Sequence, residues 1–239
     1  MLFSQKPKLR LLLCCLSLLL PIKSQAQEPR LQVVTELSPP EQTIIDGKAA
    51  GTATAKVQEI LDKAELSASI EIFPWARAYK KAVTEPNTLI YSIAKSEQRE
   101  PLFYWLTPVT EYKFGWVSLR DRSDIQINKP EDAKKYRIVV QRDDIAHIWL
   151  LGHGFVEDKH FITCSDIGCS WQLLLNRNVD LVIESPDFIA SMLQQFNRPL
   201  DMAKFIAPIP ELEITAYLAA NKNIDPIILN KLKVAIAAL

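Results

Sequence analysis

Short β-branched apolar runs alternate with helix-periodic stretches along most of this chain, and that alternation restricts the fold more than any other feature. LQVVTE (31–36), SIEIF (69–73), TLIYSIA (88–94) and Lys113–Leu119 read as strands. So do RIVVQ (137–141), Lys159–Thr163, VDLVIE (179–184) and ITAYLAAN (214–221). Helices are expected between them. Thr52 is a plausible N-cap for a helix that places Val57, Ile60, Leu61 and Ala64 on one face. Further helices are expected over Trp75–Glu85, from Asp143 or Asp144 to Leu151, and over Ser165–Asn176. Ser185-Pro186 and Asp225-Pro226 each place a capping residue before a proline suited to the first helical position. Strands alternating with helices predict an α/β fold with mostly parallel sheets flanked by helices. Periodicity alone does not divide the chain into lobes. With six glycines there is no GxGxxG and no P-loop, so no nucleotide-phosphate cradle is expected.

The N-terminus carries a second signal. Lys6, Lys8 and Arg10 precede an apolar run from Leu11 to Leu20, and Ser24 and Ala26 supply small residues at the two positions a signal peptidase reads. The run is about half of what a permanent bilayer span needs, roughly 20 residues. Residues 1–26 are therefore expected to be a cleaved signal peptide, and the mature chain a periplasmic protein of a Gram-negative bacterium. A lipoprotein reading through Cys14 or Cys15 fits poorly, because Leu13 stands where a small residue is wanted. Across the whole chain 28 basic residues balance 28 acidic ones. Removing Lys6, Lys8, Arg10 and Lys23 leaves 24 against 28, a net charge of −4, which is not the footprint of a nucleic-acid binder. A soluble monomer is expected. Cys164 and Cys169 are the two cysteines outside the signal, and in an oxidising compartment they are expected to pair; buried free thiols are the alternative.

Catalytic motifs are sparse. Ser92-Ile93-Ala94-Lys95 matches SxxK, but it falls at a strand end and lacks the companion motifs of serine-lysine enzymes. GxSxG and HExxH do not occur. His147, His153, His160, Cys164 and Cys169 follow no zinc spacing, so neither a metal nor a cofactor is expected.

PWARAYKKA…TLIYSIAKSEQREPLFYWLTPV, residues 74–109, resembles the family 3 extracellular solute-binding proteins, the amino-acid-binding components of ABC importers. INKPEDAKKYRIVVQRDD (127–144) and LLLNRNVDLVIES (173–185) are similar to later segments of the same family. The resemblance implies a two-lobed periplasmic-binding-protein fold, each lobe a mostly parallel sheet flanked by helices, joined by two crossing hinge strands. It implies a first lobe of 27–112 plus 212–239 and a second of 113–211. A small-molecule ligand would lie between the lobes, and the partner would be a membrane permease or sensor. Arg99 matches the arginine that grips a ligand carboxylate, for which a planar guanidinium is suited. Trp75 matches the aromatic covering the ligand, and Ser92, Arg77 and Arg142 are further candidate contacts.

The pattern also departs from the family. The aspartate that holds a ligand ammonium is replaced by Ser185, with Glu184 one residue earlier. Asp143 and Asp144 place acids at a helix start that would repel an anionic ligand. The expected function is capture of a small polar, carboxylate-bearing, amino-acid-like solute without chemistry. Ligand sensing for a membrane signalling partner, and a cyclohexadienyl-dehydratase-like lyase with Glu184 as its acid, are the alternatives.

Overall fold

The computed structural model describes Met1 and residues 31–239. The basic stretch, the apolar run and the cleavage position after Ala26 lie outside the described residues. Strand β1 (Leu31–Thr35) leads through a hairpin, β2 (Thr43–Ile45) and β3 (Lys48–Ala50), into α1 (Thr52–Lys63). Then come β4 (Ala68–Ile72), α2 (Trp75–Thr84) and β5 (Thr88–Ala94), and a 3-10 turn at Glu100–Leu102 opens onto the long β6 (Phe103–Leu119). A second such turn, Pro130–Lys135, precedes β7 (Ile138–Gln141), α3 (Ile145–Gly152), β8 (Phe161–Cys164) and α4 (Ile167–Leu175). After β9 (Leu181–Glu184) and α5 (Pro186–Gln195), the chain returns along β10 (Ala203–Asn221) into α6 (Pro226–Ala237).

Eight strands hydrogen-bond in the order β4-β1-β5-β10-β6-β9-β7-β8. β1 runs parallel to β4 and β5, and β7 runs parallel to β8 and β9. Between these two parallel sets lie β6 and β10, antiparallel to each other, with β10 antiparallel to β5 and β6 antiparallel to β9. The result is the two-lobed α/β architecture, two mostly parallel sheets joined by two crossing strands. None of the described helices is long and apolar enough to cross a membrane.

The crossing strands are far longer than the sequence pattern implies. Lys113–Leu119 grows to 17 residues and ITAYLAAN to 19. Pro108, Pro208 and Pro210 interrupt the alternation there, and proline cannot donate to a ladder. The pairing slips at those places instead of ending: Pro208 pairs with Gly115, and the next pair is Glu213 with Lys113. Gly115 is required at this slip, because a Cβ on it would lie 2.3 Å from the Ala207 carbonyl oxygen.

Three apolar clusters hold the layers together. On one face of the first sheet, α1 and α6 bury Val57, Ile60, Leu61 and Leu232 against Leu31, Val33 and Leu89. On its other face α2 buries Trp75, Ala78 and Ala82 against Val34, Ile90 and Phe103. The third and largest cluster surrounds Trp116, Val139, Trp171, Leu181 and Phe188. Two local expectations need correction. Gly51, not Thr52, caps α1, with φ of 110° and the Glu41 carbonyl where a side chain would stand. The β2–β3 hairpin was not expected, although Asp46-Gly47, both at positive φ, is the turn pair such hairpins favour. Cys164 and Cys169 are disulfide-bonded, tying the end of β8 to the first turn of α4.

Candidate functional site

Parallel strands of both lobes aim their carboxyl ends at one cleft, the usual place for ligands in such sheets. Glu36 follows β1, Trp75 opens α2 just after β4, Ser92 and Ala94 end β5, Gln141 ends β7 and Glu184 ends β9. Tyr112, Phe114 and Ile214 from the crossing strands, with Ile145, Ile167 and Phe188 from three helix starts, close the walls. The free space between these side chains is about 30 Å³, which admits roughly two water molecules.

Arg99 is the best anchored side chain there. Its residue is 2% exposed, and its guanidinium carbon lies 5.1 Å from the Trp75 ring centre and 5.2 Å from that of Tyr79. Nη1 donates to the Ala94 carbonyl at 3.1 Å, and Nη2 reaches across the cleft to the Asp143 carbonyl at 2.6 Å. Trp75 Nε1 donates to the same carbonyl at 2.9 Å. Both donors come from the first lobe and the acceptor from the second, so one peptide oxygen latches the lobes. Asp143 has a φ of 61°, and its N–H donates to His147 Nδ1 at 3.1 Å, which holds the peptide in place.

Three carboxyl groups line the cleft with this arginine. Asp144 caps α3, its Oδ1 accepting from the Ile145 N–H at 2.5 Å. Burial pushes Asp144 above the ordinary carboxylate range, opposed by the charge of Arg99. Glu36 is pushed well above that range, first by burial and then by Asp144, while Gln141 and Arg99 pull it down. Glu184 is likewise raised well above it, by burial first and then by Asp144 and Glu36. Among the described residues no group hydrogen-bonds the Glu184 carboxyl, and Glu36 Oε2 and Gln141 Oε1 are buried without partners. Beside them Gln42 Nε2 donates to Ser92 Oγ at 2.5 Å and to the Tyr112 hydroxyl at 3.3 Å.

The structure brings four residues singled out from the sequence to this cleft: Arg99, Trp75, Ser92 and Glu184. Three others lie elsewhere. Arg77 is on the solvent side of α2, its guanidinium 4.5 Å over the Phe73 ring. Arg142 is exposed and donates to Thr163 Oγ1 at 3.3 Å. Ser185 is buried as the cap residue of α5, facing away because neighbours on an extended segment alternate. Sequence reasoning missed Glu36, Gln141 and Tyr112, and it weighed Asp144 as a helix cap and as an acid that would repel an anionic ligand. Glu36 was legible in principle, since a charged residue at the carboxyl end of a parallel strand is a cleft candidate.

No protein-family model matches the chain, and no curated protein matches it in sequence. Solved structures do match its fold. A histidine kinase sensor domain with similarity to periplasmic binding proteins superposes with a TM-score of 0.73 at 18% identity, covering 88% of this chain and 90% of that one. The arginine-bound form of ArgBP from T. maritima, truncated to residues 20–233, matches with a TM-score of 0.72 at 14% identity, covering 87% and 95%. The substrate-binding protein of an amino acid ABC transporter matches with a TM-score of 0.71 at 14% identity, covering 88% and 93%. The fold is that of the periplasmic binding proteins.

Proposed function

We propose that this chain is an exported solute-binding protein of the family 3 type, which captures a small polar, amino-acid-sized solute between its lobes. The observation that carries the reading is the cleft itself: strand ends from both sheets converge on it, and Glu184, 5% exposed, lines it without a hydrogen-bond partner. A buried carboxyl left unpartnered is costly in a structural role and useful in a binding one. The lobes in this reading are 27–112 with 212–239 and 113–211, closing by rotation about β6 and β10. The slip between Pro208 and Glu213, where Phe114 of β6 faces the four residues 209–212 of β10, supports a hinge there.

The recipient of the closed form is a permease of an ABC importer or a membrane sensor kinase. The likeness to a histidine kinase sensor domain supports the second as much as the transporter components support the first. The amino-acid-like expectation placed a ligand carboxylate on Arg99 and counted Glu184 among the remaining polar contacts, one residue before the position of the family's ammonium-holding aspartate. The acids Glu36, Asp144 and Glu184 around the cleft support the ammonium half of it.

A thermal-shift panel of amino acids, organic acids, amines and short peptides tests the reading. A ligand at 100 times its dissociation constant adds about 2.7 kcal/mol, enough to raise the midpoint by several degrees. At least one class is expected to do so, and a panel silent throughout would overturn the binding function.

A further inference from the structure

We infer that the solute is an amine without a carboxylate, a diamine or guanidino-amine, because unpartnered acceptor oxygens and an excess of acids line the cleft, while both Nη atoms of its one guanidinium and its indole N–H are bonded to backbone carbonyls. The inference rests on the binding reading above and names the ligand class of that same cleft. Arg99 gives one N–H of Nη1 to the Ala94 carbonyl and one of Nη2 to the Asp143 carbonyl. Trp75 spends its indole N–H on Asp143, and Gln42 its amide N–H groups on Ser92 and Tyr112. Glu36 Oε2 and Gln141 Oε1 are buried without partners, and the Glu184 carboxyl lines the same cavity with only burial and like charges acting on it. Of these, Glu184 and Gln141 belong to residues 5% and 7% exposed, both lining the cavity. Serine and tyrosine hydroxyls serve as donor or acceptor and do not bias the choice.

Charge points the same way. Three acids and one guanidinium line the cleft, an excess of two negative charges when all are ionised, and an ammonium or guanidinium group would relieve it. A carboxylate paired with both Nη atoms would have to compete with the Ala94 and Asp143 carbonyls for Arg99 while entering among three acids. The Asp143 peptide thus occupies the seat an amino acid's carboxylate would need, and specificity follows from that exclusion.

Matched pairs that differ by one carboxylate provide the test. Calorimetric titrations of the purified protein would compare cadaverine with lysine, and agmatine with arginine. The amines are expected to bind at least tenfold more tightly than their amino-acid counterparts. Glu184→Gln, and separately Glu36→Gln, are expected to weaken amine binding on the order of tenfold or more, with folding checked by circular dichroism. Tighter binding of lysine or arginine, lost in Arg99→Ala, would overturn the inference and leave the binding function standing. No binding of any of the four compounds would overturn it too; the wider panel then decides whether the binding function survives.

Discussion

Replacing Glu184 by glutamine should make the protein more stable without ligand, and the size of the gain should depend on pH. Glu184 sits at the end of β9 with its carboxyl in the cleft, 5% exposed and without a hydrogen-bond partner. Its charged neighbours there include the acids Asp144 and Glu36, so burial and like charge both oppose its ionisation. A group whose folded pKa lies above its unfolded one contributes no penalty below the unfolded value, about 4.3 for glutamate. The penalty grows as pH rises from there and levels off above the folded pKa. It cannot exceed about 1.4 kcal/mol per pH unit, which at pH 7 caps it near 4 kcal/mol. Opening of the cleft to water relieves part of this, so a gain of roughly 1–3 kcal/mol is expected. For a chain of this size that raises the midpoint by roughly 3–10 °C. Thermal unfolding of both proteins by circular dichroism, from pH 4.5 to pH 8 without added ligand, measures the difference. The curves should nearly coincide at the acid end and separate as pH rises. A variant less stable than the parent at pH 7.5, or an offset constant with pH, would refute the reasoning.

The ion pairs of Asp180 with Arg122 and Arg137 give the opposite slope. Asp180 accepts from Arg122 Nη1 at 2.5 Å and from the Arg137 backbone N–H at 2.8 Å; although burial raises it, these partners hold its pKa below the usual aspartate value. Its contribution is therefore present at neutral pH and lost as pH falls from the ordinary aspartate value through the depressed one, and Asp180→Asn should cost roughly 1–3 kcal/mol in urea unfolding at pH 7. Reducing the Cys164–Cys169 disulfide should lower stability by about 2 kcal/mol, seen as a fall in melting temperature with dithiothreitol that a Cys164→Ser variant no longer shows. Trp75→Phe keeps the ring beside Arg99 but removes one of the two donors to the Asp143 carbonyl. At about 1 kcal/mol this shifts the lobes roughly fivefold toward the open form, read as a larger radius of gyration by small-angle scattering. Gly115→Ala should destabilise by more than 1 kcal/mol in urea, since its Cβ would collide with the Ala207 carbonyl and the Phe205 ring.

Local elements were legible because their signals are local. The buried face of α1, with Val57, Ile60 and Leu61, follows from side-chain spacing alone. The capping aspartates at Asp144 and Asp225 each accept a backbone N–H as their positions predict. The crossing strands were under-read because proline reads as a stop. Pro108 and Pro208 are tolerated here only because the partner strand slips beside them. The β2–β3 hairpin had a readable turn pair, but its three-residue strands are too short for alternation to register.

The cleft divides in the same way. Arg99, Trp75, Ser92 and Glu184 were found because they sit in a segment whose residue order resembles a family, or at the end of a plain strand. Arg77 and Arg142 were equally plausible by type. What sent them to solvent was the face of α2 on which one falls and the turn after β7 on which the other stands. Periodicity and charge in the sequence determined the α/β class, the mostly parallel sheets and the helix faces, since each depends on residues a few positions apart. Tertiary structure alone decided that Glu36, Asp144 and Glu184 share one cleft with Arg99, and that the Asp143 carbonyl meets its guanidinium. Apart from the adjacent Asp143 and Asp144, those groups are separated by 40 to 148 positions in the chain, and their meeting depends on how two sheets close, which no local pattern encodes.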